Sequence, residues 1–465
     1  MTADTLQDLV RTLPGLDVDA SAHTRAAYAS DQGPVLEYTI PAAVVRAGTV
    51  AEVQQVLRWA SRTGTAVVAR GAGSGVSGGA HATPGCIVLS LERMNRILEI
   101  RPDDELARVE PGVINETLNT AAAEYGLMYA PDPASYRIST IGGNVATNAG
   151  GLRCAKYGVT RDSVLSLDVV LADGTLITTG RQTFKGVAGY DLTGLFTGSE
   201  GTLGIVVGIT VRLRYLPVRV CTLAGFFPDL DSAAAGVLAV GRARVQPAIM
   251  ELLDGETMTA LDAVHGSDLR SRGEALLLIQ TDGYGADAEA EVVRSVLAGL
   301  GGTVSLEGSE EALRLVDLRR HSRGDAVHTQ LRVGEDVAVP RSRLVSYIGE
   351  LHRMARRHDV RLKVVAHAGD GNLHPTFWVE TAQGSAAAAR LDAALDESIS
   401  VALAMGGTIT GEHGIGQFKL RWLAQEQPPE LRELQRRIKA VFDPAGILNP
   451  GKGIVGAEDI GRPAG

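Results

Sequence analysis

Two histidines bracket a tight turn in the stretch VVAHAGDGNLHP: His367 closes one β-like run and His374 opens the next, with Asp370-Gly371-Asn372 between them. An Asp-Gly step between such runs is a hairpin signal, and paired strand ends bring their side chains close together. Two imidazoles placed this way can reach one divalent ion at about 2.0 to 2.2 Å. A third ligand must come from elsewhere, and GGTITGEHGIGQFK offers Glu412 and His413 between Gly411 and Gly414, on a loop free to turn inward. Two histidines and one carboxylate leave positions open for a substrate, as expected of a catalytic rather than a structural site. Taken singly, each of these residues reads as well as a solvated surface group. In RLVDLRRHSRGD, Arg319 could hold a carboxylate in two parallel hydrogen bonds; Arg320 and Arg323 compete for that role, and an exposed basic helix face is the plain alternative.

A second kind of chemistry is written in glycine. Gly73, Gly75 and Gly78 satisfy GxGxxG, and Glu92 lies near the distance expected of a ribose-binding acid. The dinucleotide design, however, needs that loop to open a helix, and here Gly79, Pro84 and Gly85 interrupt any helix before the next strand-like run, CIVLSL. What remains is a run of backbone N–H groups that can wrap an anion as a nest, with Arg70 adding charge. A flexible hairpin loop is the plain alternative. The device recurs in APDPASYRISTIGGNVATNAGGLRCAKYGVTRD and in TGSEGTLGI, and so much glycine in one place suggests backbone lying against a ligand.

The elements that must carry these groups are mixed. From Pro41 the chain reads strand, amphipathic helix (VAEVQQVLRWASRTG), strand; residues 105 to 215 continue in short β-like segments with one helix near Ile114 to Tyr125. Past Pro217 Ala-rich helices over Ser232 to Arg242, Ala286 to Leu300, Arg341 to His358 and Ser385 to Met405 alternate with strands such as AIMELLD, ALLLIQT and LKVVAH. This rhythm predicts an α+β domain on an antiparallel sheet. The expected divisions are a lead-in over 1–37, a domain over 38–216, a second over 217–444 and a terminal segment over 445–465.

The 465 residues exceed what one core usually serves. A net charge of -9 argues against nucleic acid as a partner, because phosphate binding needs concentrated Lys and Arg. Cys86, Cys154 and Cys221 suggest neither a disulfide framework nor a thiolate metal site, so a reducing cytoplasm fits. The opening carries no signal-like block and no stretch is apolar enough to span a bilayer, so any membrane attachment would be peripheral.

The three glycine segments together resemble the FAD-binding domain of the vanillyl-alcohol oxidase and p-cresol methylhydroxylase superfamily, across roughly residues 38 to 216. That resemblance implies a two-subdomain FAD-binding fold. In it Arg70, Gly71, Gly73, Ser74, Gly75, Val76 and Ser77 cradle the pyrophosphate. Pro131, Asp132, Ser135, Thr140, Gly142 and Gly143, then Asn144, Asn148, Gly150, Gly151 and Tyr157, follow the flavin and ribityl chain, while Glu200, Gly201 and Ile205 supply the third contact. Some members tether flavin through a histidine where this chain has Ser74, so the resemblance implies non-covalent FAD, with His81 a poor substitute.

From about 217 to 453 the chain resembles the FAD-linked D-lactate dehydrogenase, glycolate oxidase and D-2-hydroxyglutarate dehydrogenase group. The ending FDPAGILNPGKG is similar to that group's, where it returns toward the flavin and makes Asn449 a contact. The resemblance implies that His367, His374 and Glu412 bind a divalent metal, zinc or manganese, that His413 takes the hydroxyl proton, and that a small D-2-hydroxy acid of lactate or glycolate type is oxidised. It also implies an electron acceptor, whether quinone, cytochrome or carrier protein, and permits a homodimer. Gly334 stands where the hydroxyglutarate enzymes have a lysine, and Pro375-Thr376 replaces their Leu-Asn, which moves a monocarboxylic substrate ahead of a dicarboxylate. Alkyl-glycerone-phosphate synthases, which use FAD without net redox chemistry, share the scaffold but carry a run of adjacent histidines absent here.

Overall fold

The computed structural model describes residues 3–322 and 329–454. The chain forms two compact units: the first takes residues up to Gly150, Val159–Leu216 and the chain from His413 onward, the second Gly151–Gly158 and Pro217–Glu412.

In the first unit, a four-stranded sheet runs in the order Asp17–Asp19, Ala43–Arg46, Ile87–Ser90, Val67–Arg70. The last three strands are parallel. Helix Val50–Thr63 connects two of them, and its ends are specified locally: the Thr49 hydroxyl accepts the Glu52 N–H, Glu52 accepts the Gly48 N–H in return, and Gly64 closes it in the left-handed conformation. Val53, Val56, Leu57, Trp59 and Ala60 fall on one face at helical spacing and are buried, each large apolar side chain contributing about 1.5–3 kcal/mol. Between Val67–Arg70 and Ile87–Ser90 there is no helix, as the glycine and proline spacing predicted. A five-stranded antiparallel sheet, ordered Ile97–Arg101, Leu106–Val109, Ile205–Arg212, Val164–Val170, Leu176–Gly180, holds a second core that includes Phe196, Leu167 and Ile209.

Described residues near each end of the sequence are built into this unit. Leu9 is fully buried and Asp8 accepts from Trp59 Nε1, so the stretch read as a lead-in contributes to the core. Residues 413–444, expected with the second domain, also belong here: Phe442 packs edge-on against Phe196 at 5.2 Å, and Lys439 Nζ donates to the Thr202 carbonyl at 2.6 Å. Helix Pro429–Phe442, which no sequence reading anticipated, carries both residues.

The second unit is built on an eight-stranded antiparallel sheet. Its order is Thr303–Glu307, Val220–Phe227, Ala275–Asp282, Ile249–Asp254, Arg361–His367, Asn372–Glu380, Gln330–Gly334, with Val337–Ala338 also pairing to the sixth. Helices Leu230–Arg242, Ala286–Ala298, Leu344–Arg357 and Gly384–Ala404 lie within two residues of their predicted spans except at the start of the third, where Arg341–Arg343 is a 3-10 turn. Helix Gly255–His265, not anticipated, is capped by Asp254, whose other oxygen accepts the Val364 N–H.

The glycine tract after Pro131 is also more regular than expected. Thr140 caps a short helix, Ile141–Thr147, by accepting the Gly143 N–H, and Asn148 ends it at φ 52°.

Candidate active site

The hairpin forms between strands Arg361–His367 and Asn372–Glu380, with His367 opposite Asn372 and Val365 opposite His374. Directly paired residues share a face, so both imidazoles project from the same side of the sheet. The turn is closed by the Gly371 N–H on the His367 carbonyl, and Gly371 has φ 89° with Val339 O 2.3 Å from where a Cβ would stand. The rings lie 5.0 Å apart at 89°.

Glu412 reaches this face because Asp336 pins its loop. Fully buried, Asp336 accepts the Thr410 hydroxyl, the Gly411 and Glu412 N–H groups and the Asn372 side-chain amide. Glu412 Oε1 then stands 3.3 Å from His367 Nε2 and 3.1 Å from His374 Nε2. One ligand atom from each of the three falls within 4.8 Å of the others.

Behind His367 is a group the sequence reading missed. Glu251, on strand Ile249–Asp254 directly opposite His367, is fully buried; its Oε1 lies 2.8 Å from His367 Nδ1, and its Oε2 2.6 Å from Arg319 Nη2. Arg319, in the last turn of helix Ser309–Arg320, also donates to the Ser322 hydroxyl at 3.3 Å. Its rival Arg323 lies outside the described residues. A glutamate flanked by Met, Leu and Leu in AIMELLD was the available signal, since a lone acid in an apolar run must be buried with a partner.

Burial would lower the His367 pKa, but the charges of Glu251 and Glu412 outweigh it and hold it well above the ordinary value. Burial would conversely raise Glu412, yet His367 and His374 drive it well below. With Glu251 facing Nδ1, the Nε2 atom looks at a carboxylate. This is a donor set that a shared proton or a cation reconciles, and two imidazoles with one carboxylate fit a divalent ion.

The glycine segments meet in the first unit. Arg70 donates to the Ser30 carbonyl and lies under the loop, its guanidinium where a Gly73 Cβ would be. Asp31, also missed, accepts the Gly33 and Ala80 N–H groups and faces His81 Nε2 at 2.9 Å, which commits His81 to a structural pair. Glu92 is occupied by the Tyr28 and Ser90 hydroxyls. Ser77 donates its hydroxyl to the His413 carbonyl and accepts the Gln417 and Phe418 N–H groups on its own.

Glu200, at φ 53°, accepts the Ile415 and Gly416 N–H groups, and Asn449, at φ 42°, donates to the carbonyls of Gly79 and Glu200. Left-handed backbone at a glutamate costs about 1–2 kcal/mol, and such conformations gather where function needs them. Asn144 Nδ2 and Ser139 Oγ are buried with no hydrogen-bond partner among the described residues. Gly151 and Tyr157 group instead with the second unit, where the Tyr157 hydroxyl donates to Asp282 at 2.6 Å.

Residues 216–453 match the family of FAD linked oxidases, C-terminal domain, and residues 41–180 match an FAD binding domain. The chain is 38% identical to the glycolate oxidase subunit GlcD of Bacillus subtilis over 97% of each chain. This chain belongs to the FAD-linked oxidases. It is an enzyme of that family, and it is 35% identical to the D-lactate dehydrogenase of Archaeoglobus fulgidus over 97% of this chain and 98% of that one. The p-cresol methylhydroxylase structure superposes with a TM-score of 0.80 at 20% identity, over 97% of this chain and 96% of that one, showing the shared α+β fold. Among the described residues no helix of this FAD-linked oxidase is long and apolar enough to cross a membrane.

Proposed function

We propose that this enzyme oxidises a small D-2-hydroxy acid, of lactate or glycolate type, to the 2-oxo acid, using non-covalent FAD and a zinc or manganese ion held by His367, His374 and Glu412. The observation that carries this is the convergence of both Nε2 atoms on Glu412 Oε1, with Arg319 joined to the same cluster through Glu251.

When bound, the ion polarises the substrate hydroxyl and the flavin accepts hydride. Arg319 is assigned to the substrate carboxylate, fixing which carbon faces the flavin. His413, next in the chain after Glu412, is assigned as the base that accepts the hydroxyl proton, a task suited to a neutral imidazole. The glycine segments at 70–79, 140–150 and 200–201 are assigned to FAD, whose polar groups would satisfy Asn144 Nδ2 and Ser139 Oγ. Both electrons of that hydride would pass on to a quinone, cytochrome or carrier protein. A cytoplasmic, at most peripherally membrane-attached, enzyme fits this role.

A dicarboxylate such as D-2-hydroxyglutarate is favoured by one observation. Thr376 pairs with both Gly334 and Lys363, so Lys363, buried with its Nζ donating to the Ser322 carbonyl at 2.7 Å, stands on the sheet face where Gly334 lacks a cation. Comparing kcat/KM for D-lactate and D-2-hydroxyglutarate decides between them.

The reading as a whole is tested by anaerobic titration with D- and L-hydroxy acids before and after chelation. Bleaching of the flavin by D-acids, lost on chelation and restored by zinc or manganese, is expected. Bleaching that ignores chelation removes the metal from the scheme.

A further inference from the structure

Resting on the metal reading above, we propose that Glu251 is a positioning residue: it fixes which nitrogen of His367 faces the ion and holds Arg319 in the same polar cluster.

A carboxylate offers acceptors only, so an imidazole nitrogen 2.8 Å from it must carry the proton. With Nδ1–H committed to Glu251, a neutral His367 presents the Nε2 lone pair toward Glu412 Oε1, 3.3 Å away. Without Glu251 the imidazole is free to take the opposite tautomer or to turn its ring, and Nε2 is no longer fixed as the nitrogen facing the ion. The carboxylate therefore fixes Nδ1 as the nitrogen that keeps its proton and leaves Nε2 as the one turned to the ion.

The second oxygen of Glu251 makes the role specific. Arg319 Nη2 lies 2.6 Å from it, and both side chains are almost wholly out of water. A buried carboxylate with one partner removed is an uncompensated charge, so Glu251 and Arg319 require each other. Strand pairing sets the arrangement without side-chain adjustment, because Glu251 and His367 are register partners. Asp336 stands in a weaker version of the same relation to His374, its Oδ1 3.9 Å from Nδ1, while its hydrogen bonds go to the Glu412 loop.

The test uses the FAD-loaded full chain with Glu251→Gln, and Glu256→Gln, an exposed ion pair on the same unit, as a control. Zinc affinity is read by competition with a chromophoric chelator, and an unchanged circular dichroism spectrum and thermal midpoint confirm folding. Glu251→Gln is expected to weaken zinc binding about 10–100-fold and to raise KM for the hydroxy acid, with the control unchanged. In wild-type zinc enzyme carrying 15N-labelled histidine, the His367 ring is expected to be protonated at Nδ1, which needs no variant to fold. Equal zinc affinity in Glu251→Gln, or a proton on Nε2 of His367, overturns the proposal alone. Failure of the wild-type protein to bind zinc or manganese overturns the metal reading and this inference with it.

Discussion

Glu412 Oε1 and His374 Nε2 lie 3.1 Å apart, a separation set by a strand register on one side and by Asp336 on the other. Because neither anchor depends on a ligand, removal of one member should empty the site without unfolding the unit. His374→Ala and Glu412→Gln are each expected to cut bound divalent metal, measured by elemental analysis, below a tenth of wild type, and to slow flavin reduction at least about 100-fold. Full metal content in His374→Ala would contradict the assignment.

Arg319→Lys keeps a positive charge near Glu251 but loses the planar fork. Its kcat/KM for the hydroxy acid should fall about 10–100-fold, with the loss in KM rather than in flavin content. Steady-state kinetics with the metal-saturated variant provide the check, and an unchanged KM transfers the role to a neighbouring arginine.

Gly416 has φ 53°, and a Cβ there would meet Ser77 O at 2.1 Å. Gly416→Ala should push the 413–418 segment off the first glycine loop and destabilise that unit by about 1–3 kcal/mol. The expected result is a protein purified with less flavin absorbance and a lower thermal midpoint; normal flavin occupancy would show that the segment does not shape the FAD seat.

Burial pulls Lys452 from 10.5 down to about 8, outweighing the help of Cys86, Asp31 and Glu200. The folded protein therefore releases this proton before the unfolded chain does. Between about pH 8 and 10.5 the unfolded state binds more protons, so stability rises with pH across that window, and the group adds no slope below it. Measured against Lys452→Met, wild type should gain up to about 3 kcal/mol between pH 7.5 and 10.5 in denaturant titrations. A pH-independent difference would place the lysine in water.

Local signals in the sequence were legible to the extent that they act locally. The Asp-Gly turn placed His367 and His374 on one hairpin, and the apolar spacing of VAEVQQVLRWASRTG marked a helix. Glu412 was readable as a candidate, but its seat was not, since Asp336 reaches it from a distant segment. Glu251 was overlooked because its role depends on pairing with a strand 116 residues away. That residues 413–444 pack with the first unit was not legible for a related reason: the packing of Phe442 on Phe196 leaves no local trace in the chain.

The bonds from Ile415 and Gly416 to Glu200 close the glycine-loop unit across as many as 216 residues. A ribosome delivers Glu200 long before it delivers its partners, and nearly the whole second unit emerges in the interval. A chain stopped short of residue 413 lacks these bonds to Glu200, and it is expected to purify without the yellow colour of flavin.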